Sequence, residues 1–585
     1  MMPENPFSKI PIAPIHLLAL LLFLGLSRDL DAQQGGPTGH WKLAGDLLDS
    51  SGNKNQASNH GADLEADGVK GQKNGAARFD GVKSYIEIPS SPSLALGTGD
   101  FSLSLWLHTA EKMDDNLGDL VTKYDPQTRR GFNLSLVNHA GTTGSQANFR
   151  NIQFGIDDGK QSAQWRDEGR PGKAIFIHSM AVHQGELYVG TVEGRTNDDQ
   201  GHVYRYTKTG AWEDLGAPWK SNGVTSMASF GGKLYVGVSR VLLHYSGLQP
   251  TLSHHIGGKV FRLEEGKWTD LGYLPGLDGV NGLVNFKGEL YATGFYQPGF
   301  FRYRGGKQWL HLASPEGLRT EALAVHNGSI YATTYDEGSV FRFDGKDWHR
   351  TGSLGNASRT QAYWDGSKWV PTGLQGEQTG TQVYSLGLHR GKLVAGTWPE
   401  GKVYRYEGGK KWQSTGRLGE EQEIMGSNHY NGKLYAGSLP LAEIFRYDGD
   451  ENWNSVGRVD FTEEVIFRRA FTMAVFRGRL FSGTFPSGRV RSFEAGKAVG
   501  YDKELASGWR FVAAVKEGGR LKLFVDGAQV AESGEFEAKD FNLDNDSPLL
   551  IGYGQYDYFN GKISDVRLYK RALSGEEVAG VMQGR

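Results

Sequence analysis

Apolar and polar positions alternate in short runs of about five residues through the middle of this chain, and Gly or Asp-Gly separates one run from the next. That period and length predict strands joined by tight turns. Around Gly328 four runs follow one another, EALAVH, SIYATT, SVFRF and DWHRTG, and around Gly391 the same order reads YSLGLH, KLVAGT, KVYRY and KWQSTG. A phrase at the second run returns seven times, beginning at Gly185, Gly232, Gly288, Gly328, Gly391, Gly432 and Gly478. The steps between those glycines are 47, 56, 40, 63, 41 and 46 residues.

A repeat of roughly 40–50 residues that carries four strand-like runs predicts β-propeller blades. Units one to six place a Trp in the fourth run, at Trp212, Trp268, Trp309, Trp348, Trp412 and Trp453, whereas the last unit lacks one. A spare copy of that strand, with Trp165, precedes the first unit and is expected to complete the last blade, so that the ring closes without an open edge. Seven blades are expected. Eight is the alternative, with the extra hairpin of residues 362–373 built into a full blade. Before the signature turn stand His183, Phe230, Phe286, His326, His389, Tyr430 and Phe476. Equivalent positions face separate blade interfaces, so these histidines are expected to pack rather than share a metal. The third run carries Arg205, Arg262, Arg302, Arg342, Arg405 and Arg446 beside aromatics, and each is expected to tie its blade to the next.

Residues 37–155 and 496–583 each look like half of one domain. Alternation is clear in SLSLWLH and in RLKLFVDG. The second flank carries Trp-x-x-Val-Ala-Ala-Val at 509–515 and Val-Asp-Gly at 525–527. It also has Phe-x-Gly-x-Ile-x-Asp-Val-Arg at 559–567 and Arg-Ala-Leu-Ser at 571–574. These phrases resemble the laminin-G-like, concanavalin-type jelly-roll family, and the two flanks follow the family's order. The expected fold is therefore all-β, with a signal peptide over 1–32, a jelly-roll sandwich over 37–155 and 496–583, and a propeller over 162–495 inserted between its two parts. A closed ring brings its chain ends together, which makes such an insertion cheap in loop entropy.

The 585-residue chain is too long for a single core, and Gly (83) and aromatics (12%) suit many short strands. A net charge of −2 carries no nucleic-acid footprint. Cys is absent, which excludes disulfides, thiolate metal sites and Cys nucleophiles. The apolar run from His16 to Leu26 is short for a membrane span and fits a signal-peptide core with cleavage after Ala32. Export follows, to the periplasm, the cell surface or the medium, and the lack of Cys suits a bacterium.

No His-Glu-x-x-His, Gly-x-Ser-x-Gly or phosphate-cradling loop occurs, and no strand shows the alternating carboxylates of a jelly-roll glucanase. No catalytic residue is assigned. The resemblance to jelly-roll binding modules implies one structural calcium, for which Asp46, Asp49, Asn53 and Asp565 offer oxygen ligands. The alternative for Asp49 is a plain turn. Loops after the second strand offer aromatics beside carboxylates, namely Tyr335, Asp336 and Glu337, Trp398 and Glu400, and Phe485. Ring faces next to carboxylates suit hydroxyl-rich ligands. The leading expectation is a non-catalytic recognition protein for glycan or another extracellular polymer. A glycoside hydrolase or lyase with carboxylates on propeller loops is the first alternative, and a protein-binding adhesion scaffold the second.

Overall fold

The computed structural model describes residues 35–139, 144–160, 162–355, 362–364, 369–371 and 381–584. The expected signal peptide lies outside them. The regular structure of the described chain is almost entirely strand, and its strands fall into a two-sheet sandwich and a ring of meanders.

Both sandwich sheets take strands from both ends of the chain. In the eight-stranded sheet, Phe101–Thr109 lies between Asn560–Tyr569 and Gly508–Glu517, pairing Phe101 with Lys516 and Thr109 with Gly508. In the seven-stranded sheet, Lys497–Tyr501 pairs with Asn148–Asp158, the last sandwich strand before the ring. The ring thus stands where two neighbouring antiparallel strands would otherwise be joined by a loop. Between the sheets lies an apolar core that includes Trp41, Phe79, Phe132, Phe154, Val512 and Ile563. The outer face of the eight-stranded sheet is covered by the C-terminal helix Gly575–Met582, through Val578, Val581, Phe511 and Phe524. Ser574 and Glu577 cap that helix reciprocally, which satisfies two of its free backbone donors.

The ring is built of four-stranded antiparallel meanders. Five are separate sheets, and an eight-stranded sheet consists of two more meanders joined by the single pair Val192–Gly223. The first strands lie side by side in sequence order, and Arg469–Phe476 returns to Phe176–His183. Gln164–Asp167 pairs with Val490–Glu494, so the strand of Trp165 supplies the fourth strand of the last meander, as its Trp predicts. Residues 362–364 and 369–371 form a separate two-stranded hairpin.

The fourth-strand tryptophans bond the meanders to one another. Each indole N–H donates to a main-chain carbonyl of the preceding meander: Trp268 to Leu215 (2.9 Å), Trp309 to Leu271 (3.0 Å), Trp348 to Ala313 (2.9 Å), Trp412 to Thr351 (3.1 Å) and Trp453 to Thr415 (2.9 Å). Trp165 donates to Val456 (2.8 Å) and Trp212 to Glu168 (2.8 Å), which closes the circle. The arginines behave differently from the expectation. Arg205 pairs with Glu213, Arg302 with Glu289 (2.9 Å), Arg405 with Glu407 (2.6 Å) and Arg446 with Asp448 (2.7 Å), all within one meander. A third strand faces its own neighbours in the sheet, and a carboxylate there is nearer than the next meander.

Six of the seven signature turns meet the sandwich. His183 pairs with Glu186, which leaves Gln184 and Gly185 as a two-residue turn. Across the seven copies the first turn residue has φ between 44° and 56° and the Gly between 68° and 85°. Positive φ at both positions gives the mirror-image turn that matches strand twist. Several of these glycines also meet the sandwich at close range. A Cβ on Gly432 would lie 2.7 Å from the Tyr124 ring, and one on Gly478 would lie 2.0 Å from the Ala498 carbonyl oxygen. Gly185 N–H donates to Asp502 O (3.0 Å), Gly328 N–H to Asp114 O (2.9 Å) and Gly391 N–H to Tyr556 O (3.1 Å). Under these turns the strands Leu117–Asp125 and Arg130–His139 are buried on both faces. Their outward-facing polar residues are matched to the ring: Asn133 Nδ2 reaches Asn431 Oδ1 (3.2 Å), and Asn431 Nδ2 reaches Ile156 O (3.0 Å).

Candidate functional site

With the turn side of the ring covered by sandwich, the opposite end of its axis is the face left for a ligand. A cavity of about 80 Å³ opens there. One water needs roughly 10–15 Å³ on this measure, so there is room for several waters or one ring-sized polar group. Its wall comes chiefly from the first two or three residues of the innermost strands: Phe176 and His178, Glu321, Gln382 and Tyr384, Glu423, and Arg469 and Phe471. The strand period of two places alternate residues of each strand on the axis. Tyr296 and Tyr335 from loops and Trp398 from the end of the strand Lys392–Trp398 complete the wall.

Glu321 and Glu423 are each 4% exposed. Burial pushes the Glu321 carboxyl up to about 8, against the Asn281 amide and the Arg319 charge, which lower it. Burial pushes Glu423 to about 8 as well, with Arg469 lowering it and Glu321 raising it. At neutral pH both are therefore carboxylic acids that can donate as well as accept. Burial lowers the Arg469 guanidinium, which stays charged. Arg469 lies over the Phe485 ring at 4.8 Å. Glu423 Oε1 and Arg469 Nη1 are buried without a hydrogen-bond partner among the described residues. His178 is held neutral, pushed by burial to about 3, with Nδ1 at 3.0 Å from Thr225 O. Tyr335 and Tyr384 stand with ring centroids 5.7 Å apart, and burial raises both phenols.

These raised carboxyls set a pH dependence. Between the unfolded value near 4.5 and the folded value near 8 the native chain holds protons that the unfolded chain has released. Stability therefore falls as pH rises through that window, by at most about 1.4 kcal/mol per unit for each group. Glu423→Gln should flatten the decline of the urea midpoint between pH 6.5 and 8.5. Equal slopes for the variant and the parent chain would contradict the assignment.

Of the six ligand residues expected from sequence, the structure brings two to the cavity, Tyr335 and Trp398. Phe485 is fully buried behind the wall, 5.0 Å from Phe176. Asp336 is paired with Arg319 (3.0 Å), whose guanidinium lies 4.4 Å from the Tyr335 ring. Glu337 and Glu400 sit at the exposed rim, paired with Arg350 (3.2 Å) and Lys402 (2.9 Å). Glu321, Glu423 and Arg469 were not anticipated. The available signal was a charged residue at the head of an otherwise apolar inner strand, as in EALAVH.

The four expected calcium ligands are held by protein partners. Asp49 accepts from the backbone N–H of His40 (3.0 Å), Ser51 (2.9 Å) and Asn55 (2.9 Å), an arrangement that ties its own turn. Asp46 accepts from Leu48 N–H (3.0 Å), and Asn53 Nδ2 donates to Thr38 O (3.0 Å). Asp565 meets His40 Nε2 (2.7 Å) and Arg567 (2.9 Å). Asp49 and Asp565 thus flank His40, while Asp46 and Asn53 face their own loop.

No helix among the described residues is long and apolar enough to cross a membrane. No curated protein matches the chain. Solved structures similar to it include the extracellular domain of a protein assigned as a hybrid two-component system from B. thetaiotaomicron, at 11% identity and TM-score 0.38 over 63% of this chain. The chain spans 46% of that structure's length. An auxiliary nutrient binding protein from Bacteroides thetaiotaomicron is similar at 9% identity and TM-score 0.33, over 65% of this chain and 99% of that one. A nidogen/laminin complex is similar at 14% identity and TM-score 0.26, over 42% of this chain and 94% of that one. Residues 470–579, from the last meander of the ring to the C-terminal helix, match the family model of the concanavalin A-like lectin/glucanases superfamily.

Proposed function

We propose that this chain is an exported recognition protein whose axial cavity binds a hydroxyl-rich unit of an extracellular polymer, with a glycan as the leading candidate. The observation that carries the reading is the cavity wall itself. The aromatic side chains of Tyr335, Tyr384 and Trp398 line it together with two neutral carboxyls and one guanidinium, and two of the polar atoms have no partner among the described residues. Stacking surfaces with convergent donors and acceptors are what a sugar ring requires. In this reading residues 1–32 are the cleaved export signal, and the eight-stranded sheet counts as two blades, for seven in all. Calcium, if bound at Asp46, Asp49, Asn53 and Asp565, supports the sandwich rather than the cavity.

One observation favours a second reading. A carboxylic acid kept protonated near neutral pH is what a general acid needs, and Glu321 and Glu423 both meet that condition. The chain would then be a glycoside hydrolase or lyase. A glycan-array screen of the full chain, with and without calcium, paired with mass spectrometry of each retained glycan, separates the two. Recognition predicts intact ligand and at least tenfold weaker retention for Tyr384→Ala. Shortened ligand whose formation stops in Glu423→Gln establishes the enzyme instead. Equal retention by the Tyr384→Ala chain removes the cavity from either function.

A further inference from the structure

The histidines before the signature turns are equivalent in sequence but not in surroundings. His183 Nδ1 meets Ser229 Oγ (2.9 Å), and His389 packs edge-on against the Tyr447 ring (5.2 Å). His326 instead faces two carboxylates that the sandwich brings to it. Its Nδ1 lies 3.5 Å from Asp557 Oδ2 and 3.8 Å from Asp115 Oδ1. One ligand atom from each of the three residues falls within 4.8 Å of the others. The three are 3%, 1% and 0% exposed for His326, Asp115 and Asp557. Yet among the described residues His326 Nδ1 and Asp557 Oδ2, 3.5 Å apart, have no hydrogen-bond partner.

We propose that Asp115, His326 and Asp557 form a site for one divalent transition cation of the zinc class, which fastens the underside of the ring to the sandwich. An imidazole nitrogen with two carboxylates is a borderline-soft donor set, unlike the all-oxygen set of calcium. Ligands at about 2.0–2.1 Å from a tetrahedral ion stand about 3.3 Å apart, so the two separations from His326 close by a few tenths of an ångström, while the two carboxylates, within 4.8 Å of each other, draw together by up to about 1.5 Å. The surrounding groups already orient the ligands. Asp115 Oδ1 accepts from the backbone of Asn116 and Asn327 (2.9 Å each), and its Oδ2 accepts from Asn560 Nδ2 (3.1 Å). Asp557 Oδ1 accepts from Tyr558 N–H (2.8 Å), while Asp119 holds the backbone of Tyr556 and Asp557 (2.8 and 3.3 Å). Such outer contacts fix ligand direction. The ion would join segments more than 200 residues apart, with Asp115 and Asp557 from the two flanks and His326 from the ring.

The same geometry could be filled by a proton alone, as an imidazolium between two carboxylates, and the experiment must tell these apart. The full chain is produced in zinc-supplemented medium, purified without chelator and assayed for metal by elemental mass spectrometry. One zinc per chain is expected, falling at least tenfold in Asp557→Asn and in His326→Gln but not in His183→Gln at the equivalent turn position. Chelation during reversible thermal cycling should lower the melting midpoint, and added zinc should restore it. Asp557→Asn is nearly isosteric, so a circular-dichroism check of its fold keeps the comparison valid. A folded parent chain with less than a tenth of an equivalent of zinc, or an Asp557→Asn chain with full zinc content, overturns the proposal in favour of the proton.

Discussion

Trp165→Ala lowers the unfolding free energy by about 3 kcal/mol and opens the ring at one seam. The Trp165 ring packs against Phe493 at 4.6 Å and its N–H donates to Val456 O at 2.8 Å. It is half-buried, which places the loss at the lower end of the roughly 3–5 kcal/mol seen for aromatic truncation. The position matters more than the side chain. In the other meanders a Trp strand follows its own third strand through a short turn, so its pairing is local. The strand of residues 164–167 pairs with residues 491–494, across more than 320 residues of chain. Loosening it exposes the edge of Val490–Glu494 on the last meander and displaces the Glu168 carbonyl to which Trp212 donates. Thermal denaturation with limited proteolysis is the measurement, and cleavage near residues 160–168 should appear in Trp165→Ala but not in Trp268→Ala. An unchanged midpoint with no new cleavage would mean that closure does not depend on this strand.

Arg150→Met destabilises the sandwich by about 3–5 kcal/mol. Arg150 is 2% exposed. Its Nε donates to Leu505 O (2.6 Å), its Nη1 to Ala110 O (2.9 Å), and its Nη2 to Thr109 Oγ1. Leu505 N–H returns a bond to Arg150 O (2.9 Å). One guanidinium therefore bridges a strand of the first flank to the segment by which the chain re-enters the sandwich after the ring. Met fills the volume but leaves two buried acceptors, Leu505 O and Thr109 Oγ1, unmatched, each costing about 1–3 kcal/mol in desolvation, while Ala110 O lies on an exposed residue. Lys keeps the charge without the planar fork, and should fall between Met and Arg. Urea denaturation of the three chains tests the order. A Met variant as stable as the parent would show that strand pairing and the apolar core hold the two flanks together without this guanidinium.

Several features were legible because local chemistry sets them. The positive-φ glycines, the alternating runs and the orphan Trp165 each needed only neighbouring residues and a count of copies. The flank phrases pointed to one divided sandwich, and strands of both flanks do alternate within its two sheets. The arginines misled for a physical reason: a sequence repeat shows that a contact recurs, but not whether it lies within a meander or between two. Tyr335 and Trp398 carry the aromatic signal of the cavity in the sequence, but Glu321, Glu423 and Arg469 do not stand out, because they sit at the starts of inner strands rather than in loops. At His326 the repeat was a poor guide, since its partners Asp115 and Asp557 come from outside the repeat.

By itself, the sequence determined the strand period, the turn chemistry, the meander and its closing strand, because each follows from steric and hydrophobic preferences acting over a few residues. The tertiary structure alone decided which face of the ring the sandwich covers, which carboxyls lose their water, and which histidine meets two aspartates. Those outcomes depend on burial and on distances between segments hundreds of residues apart, and only the packed chain sets them.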